Sequence, residues 1–130
     1  MKERDVFVLL DQMLAASRNA ASFVDGLSEE EFLADVKTQQ AVAMNLIIIG
    51  EAAARLGKDH AAFASAHPDL PWRNMISMRN RIAHGYVELD FRVIWRTAIE
   101  DVVELLKRLE FIYQAAGEQL GGGSQQEDQD

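Results

Sequence analysis

The sequence predicts an all-α fold in a single domain. Apolar residues recur at spacings of three and four along most of the chain, which is the pattern of amphipathic helices, and no alternating strand pattern competes with it. Hydrophobic residues make up 48% of the 130 residues, enough for a helical domain with its own core. The only two prolines, Pro68 and Pro71, lie close together, so long helices can form on both sides of them.

The first two helices have recognisable ends. Residues 4–24 carry apolar side chains at helical spacing, and Gly26 should stop this helix. Ser28, followed three residues later by Glu31, is a capping-box signature. We therefore predict a second, short helix through Phe32.

The third helix, from about Thr38 to Leu56, should lie at the centre of the domain. Its apolar residues run almost all the way around the helix, which indicates burial on most sides. Gly50 within it would let another helix approach closely. Glu51 is the polar exception, and as a half-buried carboxylate it should pair with Arg55 or with an arginine of the motif described below. Gly57 is expected to end the helix.

The second half of the chain predicts a short helix near residues 61–64 and two further helices. Pro71 fits the first turn of the next helix, and an extended link should lead to Asp90, which can cap the last helix. Gly117 should close that helix. We expect residues 1–117 to form the domain and residues 118–130 to form a flexible, Gly-rich acidic tail.

The charge of the chain is unevenly distributed. A net charge of −8 argues against a nucleic-acid partner, because phosphate binding requires clustered cations. Between Pro71 and Glu100, however, five arginines face three acidic residues, so this region is locally basic on an acidic body. Taken alone, such arginines are most simply interpreted as solvated helix faces.

The composition also bears on where the protein works. The absence of cysteine excludes disulfides, zinc–thiolate sites and thiol nucleophiles, and it favours a reducing compartment. The mixed-charge start, Met1–Asp5, is followed by no apolar run of signal length, and no stretch approaches the ~20 apolar residues of a membrane span. We expect a soluble, cytoplasmic protein with no membrane partner.

Chemically able side chains gather in one segment, residues 78–86, which contains two arginines, an amide, an imidazole and a phenol. A helix turns about 100° per residue, so Asn80 and His84 share a face, whereas Arg79 and His84 diverge by roughly 140°. Gly85 is placed to end the helix in a left-handed conformation. A site that uses both Arg79 and His84 therefore needs either a break in the helix or a second copy of the chain.

Most other chemistries lack support in the sequence. The three histidines, His60, His67 and His84, lie far apart, and no acidic cluster has metal spacing, so we expect no metal centre and no cofactor. No Gly-rich phosphate loop and no activated serine are evident. What remains is acid–base chemistry by His84 with charge stabilisation by arginine, while His60 and His67 are expected to be ordinary surface residues.

The segment Arg79-x4-His84-x-Tyr86 resembles the Arg-x4-His-x-Tyr motif of the HepT toxin family in the HEPN superfamily. Arg-x4-His alone is a weak signal, but further segments occur in the family's order over residues 3–113, and this ordered set is specific. They are Arg4-Asp5, Lys37-Thr38-Gln39, Asn45-Leu46, Ile49-Gly50-Glu51-Ala52-Ala53, Pro71-Trp72-Arg73, Met78-Arg79-Asn80-Arg81, His84-Gly85-Tyr86 and Ile94-Trp95.

The resemblance implies a HEPN-type bundle of four to five antiparallel, up-and-down helices that forms a two-fold dimer through the motif helices. It also implies a metal-independent ribonuclease with Arg79 and His84 as catalytic residues. Cleavage of RNA without metal needs a base, an acid and positive charge on the phosphorane, which two copies of His84 and Arg79 could supply. Asn80 would orient the imidazole or contact the phosphate, and Arg81 would bind flanking RNA or an acid at the interface.

The resemblance further implies a toxin–antitoxin pair. In the family, an MntA-type nucleotidyltransferase antitoxin attaches AMP to the motif tyrosine, which is Tyr86 in this sequence. From the residues alone, packing at a helix end is the simpler interpretation of Tyr86, and it is the resemblance that favours its role as the AMP acceptor. An alternative function, from another class, is a non-catalytic dimeric module that binds nucleotides or other proteins; in a third, the motif is purely structural.

Overall fold

The computed structural model describes the backbone of residues 2–129 and the side chains of residues 4–115 and of Glu118. Within that part of the chain every regular element is helical, which confirms the all-α prediction. The helices are α1 (Lys2–Val24), α2 (Glu29–Leu33), α3 (Val36–Asp59), α4 (Ala61–Ala66), α5 (Trp72–Gly85), α6 (Phe91–Arg96) and α7 (Val102–Gln129). A 3₁₀ turn, Tyr86–Glu88, follows α5, and a π turn, Thr97–Asp101, joins α6 to α7.

Helix α3 is the centre of the bundle, as its sequence predicts. It packs against α1 on one side and α5 on the other, and α1 also packs against α7. The fully buried side chains come from both halves of the chain and form one core. They include Leu10, Met13, Phe32, Val42, Leu56, Ile82, Ile94 and Leu109. The bundle is therefore consistent with the HEPN-type architecture expected from the motif.

The predicted ends of the first two helices are confirmed. Gly26 adopts a φ of 79°, a left-handed conformation that glycine reaches without strain, just after α1 ends. Ser28 Oγ accepts from the backbone N–H of Glu31 at 3.1 Å, and Glu31 Oε1 accepts from the backbone N–H of Ser28 at 2.9 Å. This capping box starts α2 where the sequence places it.

Gly50 is the point at which α5 lies closest to α3. A Cβ atom added to Gly50 would lie 2.7 Å from the backbone oxygen of Met75 and would also overlap the Cβ of Arg79. Both are fixed parts of α5, so no flexible side chain could move aside. The predicted close approach at Gly50 is confirmed, and it holds the motif helix directly on α3.

Several predicted helix boundaries are wrong. Gly57 lies inside α3, which continues to Asp59 because the N–H of His60 still donates to the carbonyl of Leu56. Helix α5 does end at Gly85 as predicted, but Gly85 has a φ of −143° rather than a left-handed one. A 3₁₀ turn, Tyr86–Glu88, takes up most of the expected extended link and leaves only Leu89 and Asp90 extended. Helix α7 runs through Gly117 to Gln129. Glycine lowers helix propensity but ends a helix only where the surrounding structure favours another conformation.

The prediction that His60 is an ordinary surface residue is also wrong. Its side chain is only 8% exposed and its Nε2 lies 3.6 Å from Oδ2 of Asp5 at the start of α1. The side chain is covered because His60 sits at the junction of α3 and α4. The division into a domain of residues 1–117 and a flexible tail of residues 118–130 stays a prediction.

Replacing Gly50 with alanine should destabilise the protein, because the new methyl group would push α5 away from α3. We expect Gly50→Ala to lower the free energy of unfolding by about 1–3 kcal/mol, measured by urea denaturation. Gly57→Ala is the matched control, since a Cβ there meets nothing within 4 Å. The control should raise stability by about 0.5–1 kcal/mol, and equal effects of the two variants would contradict the close contact.

Candidate active site

The motif residues are placed by α5, which is one continuous helix from Trp72 to Gly85. Met75 and Ile82, seven residues apart, are buried and fix the face that α5 turns to the core. Asn80 and His84 are exposed on the other side of the helix, one turn apart. The helix does not break within the motif, so the chain does not bring Arg79 and His84 together.

Arg79 lies at the contact with α3. Its side chain is 23% exposed, and its Nη1 is 3.4 Å from Oε1 of Glu51. Its Nε is buried and has no hydrogen-bond partner in the part of the chain that the structure describes. The expected pairing of Glu51 with a motif arginine is confirmed, although Glu51 is more exposed, at 55%, than the half-buried carboxylate that the sequence suggests.

The Glu51–Arg79 ion pair contributes more to the orientation of Arg79 than to the stability of the fold. An ion pair with one partner this exposed contributes at most about 1 kcal/mol, because water screens the charges. A guanidinium held on one side by a carboxylate still has N–H donors in a fixed plane, which can donate to the oxygens of a phosphate. Arg79 is thus positioned by α3 while part of it stays accessible.

The exposed face of α5 carries the remaining polar residues of the motif. No side-chain hydrogen bond or salt bridge joins another described residue to Asn80, Arg81 or His84. Arg73 shares this face, seven residues before Asn80, and is also exposed. Sequence reasoning counted Arg73 in the basic region but missed its position beside Asn80 and His84, which helical spacing alone could have shown.

Tyr86 lies just beyond the end of α5, in the 3₁₀ turn. It is 37% exposed, and its ring meets Phe91 edge to face, with centroids 5.8 Å apart and planes at 75°. Its neighbour Val87 is 96% exposed. Tyr86, two residues after His84, is therefore held at one edge by Phe91 and remains open to solvent.

Asp90 fixes the chain that follows Tyr86. Its Oδ1 accepts from the backbone N–H of Arg92 at 3.0 Å and from the Nε of Arg92 at 3.2 Å, which caps α6 as predicted. These hydrogen bonds, the side-chain bond first, lower the pKa of the Asp90 carboxyl below its ordinary value. The cap thus anchors α6, on which Phe91 supports Tyr86.

Within the described residues, no group of three or more histidine, aspartate or glutamate side chains is arranged to hold a metal ion. The described helices also include none that is long and apolar enough to cross a membrane. The expected cytoplasmic location stays a prediction.

Comparison with known families accounts for the motif. The family model described as ribonuclease HepT-like matches residues 13–112, a span that contains α3, α5 and the entire motif. The chain belongs to the HepT-like ribonuclease family.

Two curated relatives cover most of this HepT-like chain. A protein of Thermococcus cleftensis, named probable ribonuclease HepT, is 39% identical over 101 residues, which span 78% of this chain and 89% of the relative. A protein of Methanocaldococcus jannaschii, named as a candidate RNase, is 33% identical over 112 residues, which span 86% of this chain and 90% of the relative. No solved structure matches the chain significantly.

Removing the Asp90 cap should make the stability of the HepT-like fold change less as the pH is lowered. The folded-state pKa of Asp90 is lowered, so its contribution is present above its ordinary pKa of 3.8 and is lost as the pH falls through the folded value. We expect Asp90→Ala to be less stable than the wild type in urea at neutral pH, with a difference in stability that narrows as the pH falls below 3.8 and through the lowered pKa of Asp90. Asp90→Asn, which keeps the cap without the charge, should be intermediate; a gap that does not change with pH would contradict this.

Proposed function

We propose that this HepT-like protein is a metal-independent endoribonuclease whose active site forms between two copies of the chain. The observation that carries the proposal is the position of the two motif residues on α5. Arg79 faces α3, and His84 lies on the exposed side of the same unbroken helix. A second copy packed against this helix could place its own motif residues beside those of the first, as two-fold symmetry requires.

The chemistry assigned to the site is transesterification of the RNA backbone. One His84 removes the proton from a 2′-hydroxyl, the 2′-oxygen attacks phosphorus, and the bond from phosphorus to the 5′-oxygen breaks. The other His84 gives a proton to the departing 5′-oxygen, which leaves a 2′,3′-cyclic phosphate and a 5′-hydroxyl. Arg79 stabilises the charge that develops on the phosphorane.

The neighbouring polar residues have supporting roles in the proposal. Asn80 lies one turn before His84 and can orient its imidazole or donate to the phosphate. Arg81 and Arg73 add positive charge to the exposed side of α5. This charge attracts the phosphates of an RNA strand even though the rest of the chain is acidic. The local excess of arginine offsets the net charge of −8 where the substrate would bind.

The proposed control is AMPylation of Tyr86 by an MntA-type nucleotidyltransferase antitoxin, which would make the protein a toxin of a toxin–antitoxin system. The support is the position of the phenol, exposed at the end of α5 and held by Phe91. An attached AMP would add negative charge two residues from His84, where it could pair with arginines and repel RNA. AMPylation would then block the proposed active site without unfolding the domain.

Replacing His84 with alanine should abolish cleavage while leaving the fold intact. Loss of a general acid or base lowers the rate by about 10²–10⁴-fold, and His84 is exposed without side-chain partners among the described residues. The measurement is cleavage of labelled RNA with and without EDTA, together with circular dichroism. His67→Ala, which removes an imidazole outside the motif segment, is the control and should cut at the wild-type rate.

The same assay separates the competing functions. If the wild type cuts no RNA but binds nucleotides or a partner, the non-catalytic module is correct. If His84→Ala unfolds, the motif is structural. A wild-type rate that falls to zero in EDTA would contradict the metal-independent mechanism.

Replacing Tyr86 with phenylalanine should prevent AMPylation and leave ribonuclease activity intact. Co-expression of the wild type with an MntA-type nucleotidyltransferase should add about 329 Da per AMP to the intact mass. Tyr113→Phe is the matched control, since Tyr113 is the other tyrosine and packs against Phe7 at 4.6 Å, where burial raises its pKa. An adduct that persists in Tyr86→Phe would contradict the assignment of the acceptor.

A further inference from the structure

A groove of about 460 Å³ lies between α5 and the continuous run of α6, the π turn and α7. Its floor is apolar, with Ile49 from α3, Met78 from α5 and Leu105 from α7. One end is closed, because the guanidinium of Arg108 bonds to the backbone oxygen of Asp69. A groove of this size, with an apolar floor and polar side chains along its walls, can hold a small ligand and fix its orientation.

The open end of the groove lies beside the proposed catalytic face. Arg81 lines the groove and precedes His84 by three residues, so the two lie about 4.5 Å apart along the helix axis and on neighbouring sides. Val93 and Thr97 face Arg81 from the opposite wall. An RNA strand with its scissile phosphate at His84 would therefore carry a neighbouring nucleotide to this opening.

The wall opposite α5 contains the π turn. Thr97 and Asp101, its first and last residues, both line the groove. Thr97 Oγ1 donates to the carbonyl of Val93 at 2.9 Å, which keeps its hydroxyl oxygen able to accept a further bond. A π turn costs helix stability and occurs often at functional sites, so its position in this wall is a second sign of a binding site.

The charges of the groove favour a base inside and a phosphate outside. Asp101 and Glu104 line the inner wall, and Glu104 is already paired with Arg108 at 3.3 Å. A carboxylate repels phosphate but accepts hydrogen bonds from the N–H groups of a base. Arg81 at the opening has the opposite charge and suits the phosphate. The apolar floor, formed by aliphatic and methionine side chains, can pack against the flat face of a base.

We propose that this groove binds the nucleobase next to the scissile phosphate, and that Asp101 selects guanine. Guanine carries two adjacent N–H donors, on N1 and on the exocyclic N2, which a single carboxylate can accept together. Uracil and cytosine present no such pair, and adenine has only its exocyclic amino group for this contact. The inference deepens the proposed ribonuclease function, since the groove would set where the RNA is cut.

The test is a titration of isotope-labelled His84→Ala protein with the four ribonucleoside 3′-monophosphates, followed by NMR. We expect saturable shifts at the amides of Ser77, Val93 and Thr97, with GMP bound about tenfold more tightly than UMP. Asp101→Asn should remove most of this preference. Glu100→Gln, which changes the adjacent carboxylate outside the groove, should keep it.

The opposite results would overturn the inference. It is overturned if the four nucleotides bind equally or if the shifts are confined to the His84 face. It is also overturned if the shifts arise from protein concentration alone, which would assign the groove to a second copy of the chain. Cleavage of RNA by the wild type without guanine binding in the groove leaves the ribonuclease proposal standing and removes this one. Guanine binding in a protein that cuts no RNA would keep guanine recognition by Asp101 but remove the ribonuclease proposal and, with it, the position of the base next to a scissile phosphate.

Discussion

The contact between α3 and α5 at Gly50 is the constraint on which the rest of the structure depends. With no side chain on Gly50, the backbone of α5 lies directly against α3 near Met75 and Arg79. This contact fixes the rotation of α5 about its own axis, since Met75 and Ile82 must then face the core. Arg79 comes to lie beside Glu51, and His84, five residues later, turns to the exposed side. A shift of α5 by the width of one methyl group would disturb both positions.

The separation of Arg79 from His84 explains how a plain helical bundle could support catalysis only after assembly. A single chain offers an oriented guanidinium on one side of α5 and an exposed imidazole on another. Neither group performs acid–base cleavage by itself, because the reaction needs two proton transfers and a stabilised phosphorane. Tyr86 lies at the end of the same helix, so one modification could control the assembled site. The fold, the proposed mechanism and the proposed control thus all depend on how α5 is held.

Sequence reasoning predicted the parts of this arrangement that local chemistry determines. The amphipathic spacing, the Ser28 capping box, the close approach at Gly50 and the pairing of Glu51 follow from residue type and position. It failed at Gly57, where α3 continues, and in the conformation of Gly85, which ends α5 without a left-handed φ, because tertiary packing rather than glycine content decides both. The burial of His60 and the groove beside α5 depend on distances between helices that are remote in sequence. The π turn, which shapes that groove, gives no signal in a pattern of hydrophobic spacing.

The most direct measurement of the central claim mixes subunits. Wild-type and His84→Ala chains carrying different tags are refolded together at varied ratios, and the rate of RNA cleavage is measured against the wild-type fraction. If each site needs the imidazoles of two chains, the rate should follow the square of that fraction, so that an equal mixture retains about one quarter of the activity. A rate that falls in proportion to the fraction, with about one half retained, would show that each chain acts alone and would contradict the composite site.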